Sequence, residues 1–323
     1  MSTPDTSTLS VSIVERVQQA DDVVSLRLAP EGDVLLPDWE PGSHIDLILP
    51  SGLVRQYSLC GEVTADGSYE VAILREREGR GASEEVHGKL EQGMVIGIRG
   101  PRNHFPLIEA DDYLFIAGGI GVTPLIPMIR HVEARGASWT LVYGGRTKRT
   151  MAYVDRLVEL YGDRVQVIPE DEKGRPDLDA LLAGIGAQTL VYSCGPGALL
   201  DALTDRAEAA GVADRLHIER FGAAGDADVA PQDGDQPFEL ELVASGITVE
   251  VPADKSIYEV VEDMDTGLLF SCGEGYCGTC EVKVLGGQPI HRDTVMSPEE
   301  HEEEGTMMVC VGRSATPNLQ IDA

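Results

Sequence analysis

Residues 271–280 read Ser-Cys-Gly-Glu-Gly-Tyr-Cys-Gly-Thr-Cys, and this stretch decides how the chain is divided. Cys272, Cys277 and Cys280 stand at C-x4-C-x2-C spacing, and Cys310 follows after a further 29 residues. Three thiolates on one short loop with a distant fourth is an arrangement that holds a 2Fe–2S cluster. Gly273, Gly275 and Gly278 let such a loop turn tightly around a small anionic object and aim N–H groups at sulfur. Zinc ligands usually fall in two C-x2-4-C/H pairs and a disulfide needs only two thiols; the spacing fits neither well. The four cysteines are therefore expected to be iron ligands. A cluster of this kind carries one electron at a time, so the rest of the chain is searched for the electron's source.

Around the loop, Phe238–Ala244 and Ile247–Val251 alternate apolar and polar residues about Ser245-Gly246, a hairpin signal. A helix is expected near Ser256–Asp263 and a strand at Glu281–Leu285. The capping box Ser297-Pro298-Glu299-Glu300 opens a short acidic helix, and a strand at Met307–Val311 carries Cys310. Strands flanking one main helix are compatible with a β-grasp ferredoxin domain over residues 238–323. Residues 223–237 are small, acidic and turn-rich and read as an interdomain linker.

Upstream, residues 107–222 alternate apolar runs with helical stretches, the layout of a parallel sheet with helices on both faces. Its strands are expected at Tyr113–Ala117, Thr140–Tyr143, Val165–Ile168, Leu190–Cys194 and Leu216–Glu219. The first strand ends in Ala117-Gly-Gly-Ile-Gly-Val-Thr-Pro124. Glycines there allow close approach of a pyrophosphate, Thr123 is placed to cap the following helix, and Pro124 suits its first turn. This is not the G-x-G-x-x-G fingerprint. A late strand ends in Cys194-Gly195-Pro196-Gly197, where a nicotinamide ring and a buried structural cysteine are both open readings. Arg146, Lys148 and Arg149 follow the second strand; Arg146 or Arg149 suits a 2′-phosphate, or all three are loop charges.

Residues 1–106 alternate over short runs broken by turn residues, as in an antiparallel barrel or sandwich. Within them, Arg55-Gln56-Tyr57-Ser58 offers a phosphate clamp, a stacking ring and a hydroxyl, a set that suits a flavin mononucleotide. Strand alternation puts Arg55 and Tyr57 on one face and Ser58 on the other. Gly79-Arg80-Gly81-Ala82-Ser83 precedes a helix expected over Glu84–Leu90 with Ser83 as its N-cap, a second anion site.

The totals agree with a redox protein of several domains. The chain has 323 residues, 42% of them hydrophobic, and no apolar run of the roughly 18 residues a spanning helix needs. Met1–Ser10 lacks the layout of a secretory signal, so a cytoplasmic location is expected, with no membrane association. The formal net charge of −30 disfavours nucleic acid as a partner. From Asp226 onward 21 acids stand against Lys255, Lys283, Arg292 and Arg313, a balance of −17. That excess is either a solubilising surface or a docking face for a basic partner.

The order R-Q-Y-S, G-G-I-G-V-T-P, C-G-P-G and C-terminal C-G-E-G-Y-C-G-T-C resembles the phthalate dioxygenase reductase family, and vanillate O-demethylase reductases are similar. The resemblance covers nearly the whole chain. It implies a multidomain fold: an antiparallel β-barrel binding FMN, a parallel α/β domain binding NAD(P), and a plant-type 2Fe–2S ferredoxin domain. Arg55, Gln56, Tyr57 and Ser58 would hold the flavin, with Gly81, Ala82 and Ser83 near its phosphate; Ala82 stands where many relatives have glycine. Gly119, Gly121 and Thr123 would face the dinucleotide, joined by Arg146, with Cys194 and Gly195 on the nicotinamide side. Phe221 would lie beside the flavin ring, so Ser58, Cys194 and Phe221 become the candidate catalytic residues. NADH is the implied donor, with NADPH open, and the partner is a separate terminal oxygenase of the Rieske type, served by a monomer.

In that scheme a hydride enters at the flavin, and electrons leave singly through the cluster. A haem monooxygenase as acceptor is a rival within the same chemistry. A redox-sensing regulatory module is a rival of another class, disfavoured by the lack of a basic DNA-binding patch.

Overall fold

The computed structural model describes residues 8–32, 35–62, 67–77, 79, 81–221, 232, 234–261, 264, 266–270 and 272–323. The chain divides into two compact units, Met1–Phe221 and Gly222–Ala323. Most of the expected linker, 223–237, lies outside the described residues.

The first unit opens with six strands: β1 (Leu9–Ala20), β2 (Val23–Pro30), β3 (Ser43–Ile48), β4 (Val54–Ser58), β5 (Tyr69–Leu74) and β6 (Val95–Asn103). They pair antiparallel in the order β4-β3-β6-β1-β2-β5. Bulges at Ile13/Glu15, Gln18/Ala20 and His44/Asp46 add twist and bend the sheet over its apolar face. The two edges meet at one bridge, Leu59 with Val71. The core is the alternating inward set, including Val11, Ile13, Leu26, Leu28, Ile45, Leu47 and Val71. Helix α1 (Ala82–Lys89) plugs this core with Ala82 and Val86.

Five strands form the second sheet: β7 (Asp112–Gly118), β8 (Ser138–Gly145), β9 (Val165–Pro169), β10 (Leu190–Gly195) and β11 (Leu216–Arg220). They run parallel in the order β11-β10-β7-β8-β9. Helices α2 (Val122–Arg135), α3 (Val154–Tyr161), α4 (Glu170–Lys173), α5 (Leu178–Ala183) and α6 (Gly197–Ala210) connect them. A strand buried on both faces reads as an apolar run, and β7 does from Tyr113 to Gly118, with Asp112 only at its start. Its Tyr113, Phe115 and Ala117 join the core that includes α2 and α3, while Leu114 and Ile116 join the core that includes α5 and α6. The chain winds outward from β7 in one direction, then returns to add β10 and β11 on the other side. The switch point therefore lies between β7 and β10, where a crevice for a ligand opens at the carboxyl ends of the strands.

The two sheets are tied into one unit across the expected boundary at residue 106. Tyr192 donates to the Pro106 carbonyl at 3.1 Å and accepts from the Ile108 amide at 2.8 Å. Tyr153 reaches Glu70 at 2.9 Å, and Arg149 pairs with Asp21 at 2.9 Å.

The second unit has the sheet order β13-β12-β18-β14-β16, built from β12 (Phe238–Leu242), β13 (Ile247–Val251), β14 (Glu281–Gly286), β16 (Thr306–Met308) and β18 (Asn318–Ile321). A short pair, β15 (Pro289–Ile290) with β17 (Arg313–Ser314), lies beside it, with α7 (Ile257–Val261) and α8 (Pro298–Glu304). The hairpin about Gly246 forms with φ of +68° at that glycine, and α8 begins with the expected reciprocal cap between Ser297 and Glu300. Among the described residues no helix is long and apolar enough to cross a membrane.

Three local expectations are corrected. Helix α1 starts at Ala82 behind Gly81 in the left-handed region, so Ser83 is not its N-cap. The Ser83 hydroxyl instead bonds both backbone groups of Glu76, at 2.9 and 3.3 Å. Helix α2 starts at Val122 after a 3-10 turn over Gly119–Gly121, and Thr123 donates back to the Ile120 carbonyl at 3.0 Å instead of capping. Strand β16 ends at Met308, so Cys310 sits in the turn beyond it and not on a strand.

Candidate functional site

The four cysteines of the second unit are all buried and come together. The Cys272 sulfur lies within hydrogen-bonding reach of Cys277 and of Cys310, and Cys310 within reach of Cys280. Neighbouring sulfurs, with the backbone amides of Glu274 and Tyr276, pull the Cys272 thiol far below its ordinary range; Cys277 and Cys310, donating to Cys272, are pushed up. The Glu274 amide points at Cys272 from 3.3 Å. Four converging thiols with an inward-pointing amide are the donor set a 2Fe–2S cluster needs. The turns that achieve this sit at Gly273, Gly275 and Gly278, each with φ between 69° and 74°.

In the first unit, Arg55 pairs across the ladder with Leu47 and Tyr57 with Ile45. Directly paired residues share a face, so both point to the core side, where α1 also packs. Burial raises the Tyr57 phenol well above its usual value, and it stays neutral. The first turn of α1 offers backbone amides with no partner in the helix, as every helix start does. A side chain added at Gly81 would meet nothing within 4 Å. Both acids of that turn are engaged elsewhere. Arg75 grips Glu84 with two bonds of 2.8 and 2.7 Å, and Glu85 accepts from the Ser51 amide at 3.1 Å. The two acids are thus held away from the helix start, where the flavin phosphate is expected. Gln56 and Ser58 pair with Asp46 and His44 and face the other side of the sheet.

At the switch point the glycines divide into two kinds. A Cβ at Gly121 would stand 2.3 Å from the Cys194 carbonyl oxygen, and one at Gly195 would stand 2.9 Å from the Gly118 Cα. These two let the loops after β7 and β10 touch. Gly119, with φ of +56°, has open space where a Cβ would be. Its carbonyl accepts from the Tyr143 hydroxyl at 3.0 Å, and its open side is the expected approach for a dinucleotide.

Cys194 is fully buried, and burial raises its thiol above the ordinary range, with Glu219 adding to the rise. Glu219, not singled out from the sequence, stands directly opposite Cys194 in the β10–β11 ladder. Its Oε2 is sealed from solvent and has no hydrogen-bond partner, and burial pushes the carboxyl up to about 8. The signal that could have found it is an acid inside an expected strand of the parallel sheet, here the half-buried edge strand β11. Phe221 follows β11 and is 37% exposed. Arg146 is exposed just beyond β8, whereas Lys148 and Arg149 are paired with Asp155 and Asp21.

Comparison with known proteins agrees with this arrangement. Residues 115–205 match the oxidoreductase NAD-binding domain model, and residues 241–314 match the 2Fe–2S iron–sulfur cluster binding domain model. Phenoxybenzoate dioxygenase subunit beta of Ectopseudomonas oleovorans is 40% identical over 94% of this chain and 93% of its own. The structure of phthalate dioxygenase reductase superposes with a TM-score of 0.72 at 31% identity, covering 98% of both chains. An intact type IV self-sufficient cytochrome P450 monooxygenase gives a TM-score of 0.87 at 38% identity over 98% of this chain. The chain spans only 41% of the length of that monooxygenase.

Proposed function

As the chain belongs to the phthalate dioxygenase reductase family, we propose that it passes electrons from NADH through FMN and a 2Fe–2S cluster to a Rieske-type terminal oxygenase or demethylase. It is an NAD(P)H-dependent flavin and iron–sulfur oxidoreductase of the kind that forms the reductase subunit of multicomponent oxygenases. The observation that carries the reading is the convergence of Cys272, Cys277, Cys280 and Cys310 in a chain that also holds a nucleotide-binding sheet. A hydride-handling protein alone has no need of a one-electron outlet.

When bound, the flavin accepts a hydride and the cluster releases electrons one at a time. The chain's own residues position that chemistry. Arg55 and the start of α1, with Gly81, Ala82 and Ser83, bind the flavin phosphate, and Tyr57 packs along the ring. Ser58 and Gln56 supply polar contacts from the opposite face of β4. Gly119 gives the dinucleotide phosphates access to backbone, Gly121 and Gly195 hold the two loops in register, and Thr123 locks the turn before α2. Cys194 and Glu219 form the floor beneath the nicotinamide, both neutral near pH 7. Phe221, 37% exposed after β11, would lie beside the flavin ring. Arg146, exposed beyond β8, would meet the adenosine ribose or a 2′-phosphate on it. Action in the cytoplasm as a monomer accompanies this reading.

Extraction and chromatography of the bound flavin test the first part: FMN is expected, and FAD would refute it. For the partner, anaerobic NADH-driven reduction is compared for a purified Rieske-type oxygenase and a haem monooxygenase. Faster reduction of the haem protein would favour the second reading, which the likeness to the fused P450 supports.

A further inference from the structure

Helix α8 is acidic and exposed except at His301, which is 1% exposed. Its Nδ1 lies 3.1 Å from the Thr306 hydroxyl, and its Nε2 lies 3.0 and 3.2 Å from the two oxygens of Asp293. The Asp293 side chain is equally sealed. Its Oδ1 also accepts from the amides of Val295 and Met296, which folds residues 293–296 into a tight turn. That turn rests on the cysteine loop. The Thr294 amide donates to the Gly275 carbonyl at 2.8 Å, and a Cβ at Gly275 would stand 3.1 Å from the Asp293 Cα and 2.7 Å from the Val311 side chain. Gly275 lies between Cys272 and Cys277, and Val311 follows Cys310. The imidazole of His291 stacks on His301, 4.2 Å between centroids and 5° between planes.

His291, Asp293 and His301 bring ligand atoms within 4.8 Å of one another, which invites a metal reading. The rings oppose it. In-plane lone pairs of parallel stacked imidazoles run side by side and do not converge, and both nitrogens of His301 already have partners.

We propose that His301 is a positioning residue for the iron–sulfur cluster, acting through Asp293 on the backbone at Gly275. Partners beyond the ligands orient a metal site, and their loss typically costs about 10–100-fold in metal affinity or activity. Cluster potential further depends on hydrogen bonds to the sulfurs and on exposure, both of which follow the loop's position.

The test uses the full-length holoprotein, with iron content of the wild type determined first, because absent iron would defeat the cluster assignment and not this step. His301→Leu keeps the volume and removes both bonds. It is expected to lose cluster absorbance to a chelator about tenfold faster or more, with a shifted reduction potential and an altered electron paramagnetic resonance spectrum of the reduced cluster. Asp293→Asn, nearly isosteric, serves if His301→Leu fails to fold and should shift the same readouts. His301→Gln, which can still donate to Asp293, should recover part of the effect. Lower thermal stability with unchanged potential, spectrum and chelator rate would overturn the proposal, as would stoichiometric zinc held by the wild type and lost in His301→Leu.

Discussion

Replacing Glu219 with glutamine should make the protein more resistant to alkaline pH. The carboxyl is pushed from its ordinary value of 4.5 up to about 8 because burial disfavours its charged form, and Oε2 has no partner to offset the loss of water. The sign follows from proton linkage. Between the two values the folded chain holds a proton that the unfolded chain releases, so stability is fully present below 4.5 and is lost as pH rises toward 8. Each pH unit across that window costs about 1.4 kcal/mol, which sets a ceiling of about 5 kcal/mol. Glutamine cannot ionise and escapes the cost. Even about 2 kcal/mol would move the melting temperature by roughly 4–8 °C in a unit of this size. The assay is thermal unfolding of wild type and Glu219→Gln at pH 5, 7 and 9 in one ionic strength, without nicotinamide. The two should melt within about 2 °C of each other at pH 5, and the variant should melt higher at pH 9 by roughly 5 °C or more. A difference independent of pH would refute the assignment of a neutral buried acid.

Cys277→Ser should keep NADH-driven reduction of the flavin while losing cluster iron and electron delivery to the partner protein, measured by iron content and partner reduction; unchanged partner reduction would show another exit. Gly121→Ala drives a methyl into the Cys194 carbonyl, a clash that costs about 1–3 kcal/mol and displaces the loop, so the KM for NADH should rise and the melting temperature fall. The Asp235 side chain is 7% exposed and joins Arg292, at 2.5 and 3.0 Å, to the buried Arg313, at 3.2 Å. Asp235→Asn leaves two buried cations short of charge and should destabilise the second unit by about 3–5 kcal/mol, seen as earlier thermal loss of iron–sulfur absorbance. Arg292 first, then its other partners, hold the Asp235 carboxyl below the usual range, so this stabilisation should fade in wild type as pH falls through that lowered value.

What could be read from the chain alone was whatever is local. Three cluster ligands share one loop, and their spacing is itself the geometry of the site. The hairpin at Gly246 and the cap at Ser297 are local as well, and both form as expected. Sites assembled by sheet order were harder. Glu219 is one of 55 acids, and only the placement of β11 beside β10 sets it against Cys194. Gly119 and Gly121 look alike in sequence; the loop after β10 separates them by touching one and leaving the other open. Ser83 and Thr123 had cap-forming chemistry at plausible positions, but nearer backbone groups at Glu76 and Ile120 captured their hydroxyls. His301 carries no local signal, because its partner Asp293 matters only through the 293–296 turn that rests on Gly275.

The most direct measurement is an anaerobic titration of the purified holoprotein with NADH, followed by visible absorbance and by electron paramagnetic resonance. Flavin and cluster should both bleach, taking up about three electrons per chain, two at the flavin and one at the iron–sulfur centre. Saturation at about two electrons with the iron–sulfur signal untouched would contradict a path from nicotinamide through flavin to the four cysteines.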